Sequence, residues 1–207
     1  ESRLYHRGIH VQRRLAAILS ADVQGYSRMM SENEVATVQT LTASRRLITD
    51  VVESRHGRIV DMPGDNVLAE FGSAVDAVQA AIAMQTDLDA RNTRLPEDRR
   101  MAFRIGVNLG EVITEGPRIY GDGVNTAARI EALAEAGGIC ISAKVYEEVR
   151  DRIEAAFVDL GEQALKNIAA PVRVYRIAVA SSQPAARAAP RKDETAVKPS
   201  IIVLPLT

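Results

Sequence analysis

Apolar and polar positions along this chain follow two different periods, and the switches between them outline one mixed α/β domain. Leu15–Leu19 is an apolar run without alternation, which suits a strand, Arg14–Ala21, inside a sheet covered on at least one face. The run leads to Asp22 and then to Gln24-Gly25, where a glycine permits a tight turn whose backbone N–H groups can face an anion. A helix-like segment follows. Ser31, with Glu34 three residues on, has the form of a capping box and predicts a helix start. Val35, Val38, Leu41, Ile48 and Val52 recur at helical spacing until His56-Gly57, where His56 helps to close the helix end.

Arg58–Val60 and Asn66–Phe71 read as two strands of a hairpin joined through Pro63-Gly64-Asp65. Ala74, Val75, Val78, Ile82 and Leu88 define the apolar face of a second long helix. The polar loop Arg91–Arg100 returns the chain to FRIGVNLGEVI, where Phe103, Ile105, Val107 and Leu109 alternate as in a strand with one face on the core. GDGVNTAARIEALAEAGG predicts a helix stopped by Gly137-Gly138. The strand ICIS, a helix over Ser142–Arg152, and short strands near Phe157–Leu160 and Val172–Ile177 complete the pattern. The order β-α-β-β-α-β predicts an α+β domain with a ferredoxin-like core, extended by a C-terminal helix and strands.

Composition sets the outer limits. In 207 residues, an apolar share of 46% supports a real core in one domain of ordinary size with appendages. The segment 1–12 is polar, shows no clear period, and gives His6 and His10 no metal role. At 180–200 the composition shifts to Ala, Pro, Ser, Arg and Lys, a linker, and 201–207 (IIVLPLT) resembles the opening strand of a further domain. A net charge of -1 offers no basic field for nucleic acid. The single Cys140, between Ile139 and Ile141, reads as a buried strand thiol and excludes an intrachain disulfide framework or a Cys-rich zinc site. No stretch approaches the ~18 apolar residues of a membrane span, and no secretory apolar core is visible, so the expectation is a soluble, cytoplasmic protein.

The candidate chemistry lies at strand ends and on one helix. Asp22 and Asp65 stand on adjacent strand-end turns, where hard carboxylate oxygens suit Mg²⁺ or Mn²⁺ if phosphates supply the remaining ligands. Taken singly, each acid also reads as ordinary turn chemistry. Asn125 and Arg129, four residues apart, project from one helix face among Val124, Ala127, Ala128 and Ile130. They read either as a solvated pair or as a phosphate-binding set, since an arginine there can grip a phosphate and stabilise charge in phosphoryl transfer. No G-x-x-x-x-G-K-[ST] loop, Ser-His-Asp set or Cys-His set is present.

Taken in order, ADVQGYS, IVDMPGDNVLAEF, FRIGVNLGEV, IYGDGVNTAARIEALA and LGEQALKNIAAPVRVYRI resemble the catalytic domain of class III adenylate/guanylate cyclases, over 13–179. The resemblance implies that Asp22 and Asp65 bind two divalent metal ions, Mg²⁺ or Mn²⁺, with the Val23 carbonyl nearby and Gly25 and Tyr26 at the phosphates. It implies that Asn125 orients the ribose, Arg129 holds the transferring phosphate, and Lys166 meets the terminal phosphates. It further implies a head-to-tail homodimer with two shared clefts, a nucleoside triphosphate substrate (ATP ahead of GTP) and a cyclic nucleotide product. Two positions depart from the family. The adenine-reading lysine is replaced by Asp61, and its partner aspartate by Arg118, so acceptor and donor have changed places. The altered pair keeps a second reading open, a cyclase-like module that dimerises and binds nucleotide without turnover. No GGDEF-like hairpin is present to suggest a diguanylate cyclase.

Overall fold

The structure, a computed structural model, describes residues 12–178. Most of the polar lead-in, the linker and the segment 201–207 lie outside the described residues. The elements are β1 (Gln12–Val23), α1 (Tyr26–Glu32), α2 (Glu34–Ser54), β2 (Gly57–Asp61), β3 (Val67–Phe71), α3 (Ala74–Asn92), β4 (Phe103–Glu115), β5 (Arg118–Tyr120), α4 (Asp122–Glu131), β6 (Ile139–Ser142), α5 (Ala143–Val149), β7 (Ala156–Gln163) and β8 (Val172–Ala178). They form one eight-stranded sheet in the order β2-β3-β1-β4-β6-β8-β7, with β5 paired to β4. The part β2-β3-β1-β4, with α2 and α3, is the expected ferredoxin-like core. β1 runs antiparallel to both β3 and β4, and Asp22 falls opposite Arg104.

Side-chain alternation explains why β1 is apolar throughout. Ala17, Leu19, Ala21 and Val23 enter the main core with Phe103, Ile105 and Val107 of β4 and the inward faces of α2, α3 and α5. Ala16 and Ile18, on the opposite face, pack beneath α4 with Val112, Ile119 and Ala127. A strand covered on both faces has no polar side, as its sequence indicates. β4 was expected to cover one face only; α4 covers the other, so Gly106 and Asn108 are buried as well. Asn108 satisfies its amide by donating to the Gly123 carbonyl at 3.1 Å.

Small residues set how closely α4 approaches. A Cβ on Gly106 would meet the Glu131 nitrogen at 2.2 Å and the Ala127 carbonyl oxygen at 2.4 Å. A Cβ on Gly123 would stand 2.9 Å from the Glu111 oxygen. Helix backbone therefore lies directly on strand backbone, which only residues lacking a side chain allow.

Several helix boundaries differ from expectation. Ser31 does not start α2: it lies within α1, and its hydroxyl donates to the Ser27 carbonyl at 2.7 Å. The cap is Asn33, whose Oδ1 accepts from Ala36 N at 3.0 Å. Val35 and Val38 are 69% and 46% exposed, not core residues. α1 packs on the first turns of α2, so the buried stripe there is Ala36, Thr37, Thr40 and Leu41, with the Thr37 hydroxyl donating to Met29 O at 3.0 Å. His56 closes α2 through its backbone, at φ 58, its N–H reaching Glu53 O at 3.2 Å. α4 ends at Glu131 rather than at Gly137, because Gly137 and Gly138 serve the entry to β6: Gly137 N donates to Phe103 O at 3.0 Å, and Gly138 O accepts from Ile105 N at 3.1 Å. α5 likewise stops at Val149, short of Arg152.

Gly106→Ala should lift α4 from β4. Overpacking of this kind costs about 1–3 kcal/mol, and each kcal/mol lowers the Tm of a domain this size by about 2–4 °C. Thermal melting followed by circular dichroism checks this; an unchanged Tm would show that the helix yields without cost.

Candidate active site

Two strand ends bring the first pair of acids together. Asp22 projects from the end of β1 and Asp65 from the turn between β2 and β3, both half-buried. The Asp65 carboxyl lies against that of Asp22. Burial first, and then this neighbour, hold Asp65 above its ordinary value, while the backbone N–H groups of Asp65 and Val23 pull it down. The turn bearing Asp65 is pinned from α2 by Arg45, whose Nη2 donates to Met62 O at 2.7 Å and also to Gly64 O. Immediately after β1, Gly25 adopts φ 76 and opens α1, with Tyr26 half-buried beneath it.

A third acid lies behind the pair. Arg104 Nη2 donates to Asp22 Oδ2 at 2.8 Å and stands 3.2 Å from Glu131 Oε1, on the last residue of α4. Glu131 is 5% exposed, and its Oε1 accepts no hydrogen bond despite the short charge contact. Burial, then the Asp22 charge, push the Glu131 acid up to about 7, against the pull of Arg104 and the Ser20 hydroxyl. Neither Arg104 nor Glu131 was picked out from sequence. The available signals were the β1–β4 register, which sets Arg104 opposite Asp22, and the position of Glu131 on the helix face turned from Arg129.

The remaining expected residues lie apart from this pair. Asp122, Asn125 and Arg129 make an exposed stripe on α4, opposite the buried Ala127 and Ile130. Lys166 is exposed in the β7–β8 turn, followed by Asn167 at φ 63. Among the described residues, no hydrogen bond or ion pair joins Asn125, Arg129 or Lys166 to the Asp22–Asp65 pair. Asp61 ends β2 and Arg118 begins β5, both exposed. The Tyr120 hydroxyl, and after it the Asp61 carboxylate, raise Arg118 above its ordinary value. Tyr120, on the same face of β5 as Arg118, is a further residue beside this pair that the sequence reading passed over.

The donor set at Asp22 and Asp65 fits a divalent cation. Adjoining carboxylates repel unless a proton or a cation lies between them, and both are hard oxygen donors. Among the described residues, no cluster of three or more His, Cys, Asp or Glu side chains could hold a metal ion. Any cation here would therefore take phosphate or water oxygens to complete its shell.

The Glu131 acid yields a pH prediction. Its folded value near 7 lies above the ordinary 4.5. The stability it contributes is therefore complete below about 4.5 and lost as pH rises through about 7. In chelator, Glu131→Gln should remove this loss, gaining Tm relative to wild type between pH 5 and pH 8 by a few degrees, on the scale of about 2–4 °C per kcal/mol. Parallel melting curves across that range would show an acid of ordinary value.

Comparison with known proteins agrees with this geometry. The adenylate and guanylate cyclase catalytic domain family matches residues 11–178. The chain is 45% identical over 198 residues to the putative adenylate cyclase 3 of Rhizobium meliloti, spanning 94% of this chain and 34% of that protein. It is 30% identical over 142 residues to an adenylate cyclase of Streptomyces coelicolor, spanning 67% of this chain and 35% of that one. It thus covers about a third of the length of these curated relatives. Among solved structures, an adenylate/guanylate cyclase/hydrolase from Silicibacter pomeroyi superposes with a TM-score of 0.76 at 41% identity, covering 81% of this chain and 98% of that one. The adenylyl cyclase CyaB from P. aeruginosa follows at 0.71 and 26% identity, covering 81% and 95%. With strand order, carboxylate pair and helix α4 all in place, the chain belongs to the adenylate and guanylate cyclase catalytic domain family.

Proposed function

We propose that this domain converts ATP to the 3′,5′-cyclic monophosphate and pyrophosphate, in clefts completed across a head-to-tail homodimer. The observation that carries this reading is the division of the site. Asp22 and Asp65 make up one half and Asn125, Arg129 and Lys166 the other, and among the described residues no hydrogen bond or ion pair joins the two within the chain. A two-fold arrangement sets one half against its complement on the partner, twice. The adenylate cyclase names of the Rhizobium meliloti and Streptomyces coelicolor relatives support ATP over GTP.

Asp22 and Asp65, with the Val23 carbonyl, hold the two divalent ions, Mg²⁺ or Mn²⁺. When bound, these ions neutralise phosphate charge and make the ribose 3′ oxygen a better nucleophile. Gly25 and Tyr26 offer backbone N–H groups to the phosphates. Asn125 orients the ribose so that the 3′ oxygen lies in line with the α-phosphorus. The 3′ oxygen, giving its proton to water, attacks there; the bond from the α-phosphorus to the bridging oxygen breaks, and pyrophosphate leaves with that oxygen. Arg129 donates to the oxygens of the transferring phosphate, where negative charge builds in the transition state. Lys166 meets the terminal phosphates as a point charge. The product is a second messenger.

One observation favours a second reading, a nucleotide-binding module without turnover. The Asp61 carboxylate raises Arg118 within one chain, so the two could pair with each other in place of contacts to a base.

Complementation tests the divided site. Asp22→Ala and Arg129→Ala should each lower cyclic nucleotide formation at least a hundredfold, about the effect of losing one transition-state contact. Mixed with subunit exchange, the two variants should recover activity, since one heterodimer cleft is complete. A mixture that exchanges subunits and stays inactive would refute the shared cleft.

The base pocket has its own test. Adenine presents an amino donor at N6 and an acceptor at N1; Asp61 accepts from the first and Arg118 donates to the second. Asp61→Lys together with Arg118→Asp should raise kcat/KM for ATP, whereas either single change, placing like charges together, should lower it. A mismatched buried contact costs about 1–3 kcal/mol, roughly five- to a hundred-and-fifty-fold. Values for ATP and GTP that do not move in any of the three variants would mean that the pair does not touch the base.

A further inference from the structure

Glu70 of β3 is buried, and both of its carboxylate oxygens are taken by arginines. Side-chain alternation sets it on the α4 face of the sheet, with Leu68, Ile18 and Ala16. Arg14 of β1 donates through Nη2 to Oε2 at 2.5 Å. Arg58 of β2, opposite Glu70 in the strand register, gives Oε1 two bonds, from Nε at 2.9 Å and from Nη2 at 2.7 Å. Apolar side chains would serve the fold here about as well as these charges, because desolvation offsets most of their attraction. What they could not supply is a third bond. Arg58 Nη1 donates to the Pro117 carbonyl at 2.7 Å, 59 residues along the chain. Pro117 lies in the tight turn of the β4–β5 hairpin, closed by the pair Glu115 and Arg118, with Gly116 at φ 58. Arg118 follows Pro117 directly, and Asp61 ends the strand that bears Arg58. Among the described residues, the Arg58–Pro117 bond is the one side-chain hydrogen bond between β2 and this hairpin.

We propose that Arg58 is a positioning residue for base recognition. Held from behind by Glu70, it fastens the hairpin tip to β2 and so sets the span between Asp61 and Arg118. The inference rests on the reading of that pair as the contact to the base. Because the bond ends on a backbone carbonyl, it fixes where residue 118 stands whichever side chain is there. A guanidinium is a planar fork that meets Glu70 and Pro117 together; an ammonium on a flexible stem cannot hold the same set of bonds. Without the fork the tip is free to shift, and Arg118 meets the base over a wider range of positions. Selectivity between bases then falls, while Asp22, Asp65, Asn125, Arg129 and Lys166 stay where they are.

Binding of non-cyclisable ATP and GTP analogues with Mn²⁺, measured by titration calorimetry on the full chain, tests this whether or not the domain turns over. Arg58→Lys should bring the ratio of the two dissociation constants about fivefold nearer to one, the scale of one lost hydrogen bond. Binding of inorganic triphosphate, which has no base, should not move. Arg14→Lys is the control for the charge cluster: Arg14 shares Glu70 but makes no bond to Pro117. It should leave the ratio as in wild type, whatever it does to Tm. In an Arg118→Ala background, Arg58→Lys should change the ratio no further, since the two act through one contact. An unmoved ratio in Arg58→Lys, an equal shift in Arg14→Lys, or effects of Arg58→Lys and Arg118→Ala that simply add would overturn the positioning role. A wild-type ratio near one, or an Arg118→Ala variant that keeps the wild-type ratio, is a different result. It would overturn the reading of Asp61 and Arg118 as the base contact, and this inference with it.

Discussion

The contact on which the site depends is the backbone-to-backbone approach of α4 to β4. Gly106 has no room for a side chain against Glu131 N and Ala127 O, at 2.2 and 2.4 Å from where a Cβ would stand. That approach fixes three things together. It buries the second face of the sheet around Ile18 and Val112. It brings Glu131 to Arg104, and through it to Asp22. It also sets the rotation of α4, so that Asn125 and Arg129 stay exposed while Ala127 and Ile130 are buried. A helix standing even an ångström further out would meet the first requirement and miss the other two.

Charge is managed accordingly. Three carboxyl groups converge behind the end of β1, with Arg104 as the one cation in ion-pair contact with any of them among the described residues. Asp65 and Glu131 both rise above their ordinary values, each first through burial. Carboxyl groups placed this close repel one another unless a proton or a cation lies between them. Asn125, Arg129 and Lys166 have the opposite character: exposed, without a side-chain hydrogen bond or ion pair among the described residues, and carried on α4 and on the turn that contains Asn167 at φ 63.

Much of this was legible in the sequence, and the parts that were not share a cause. Period and turn chemistry identified β1, the β2–β3 hairpin, α3 and β4, because each pairs a long apolar pattern with a clear stop. The ferredoxin-like order followed. The failures fall where local pattern and tertiary packing disagree. Val35 and Val38 have helical spacing, yet α1 covers the neighbouring stripe of Ala36, Thr37 and Thr40 instead. Ser31 and Glu34 satisfy the capping-box rule, but Asn33 takes the cap because α1 already includes Ser31. Gly137-Gly138 look like a helix stop and are the hook into β6. In the site, Asp22 and Asp65 could be found as acids on turns, whereas Arg45, Arg104 and Glu131 could not. Their roles arise from strand register and helix approach, and nothing local marks them.

The exchanged pair follows a different logic from the rest. Asp22 and Glu131 are tied to the fold through Arg104, and Asn125 and Arg129 are carried on α4, whose seat Gly106 fixes. Asp61 and Arg118 sit exposed at the ends of β2 and β5, and the Asp61 carboxylate accepts from its own neighbour, Met62 N, at 2.8 Å. Exchanging donor and acceptor there leaves every core contact as it was. An opposite-charge pair also retains its mutual attraction when the two are traded. The chain can therefore depart from its family at these two exposed positions while keeping the others. Of the candidate residues, these two are the least constrained by folding, and the ones on which the sequence speaks most independently of the fold.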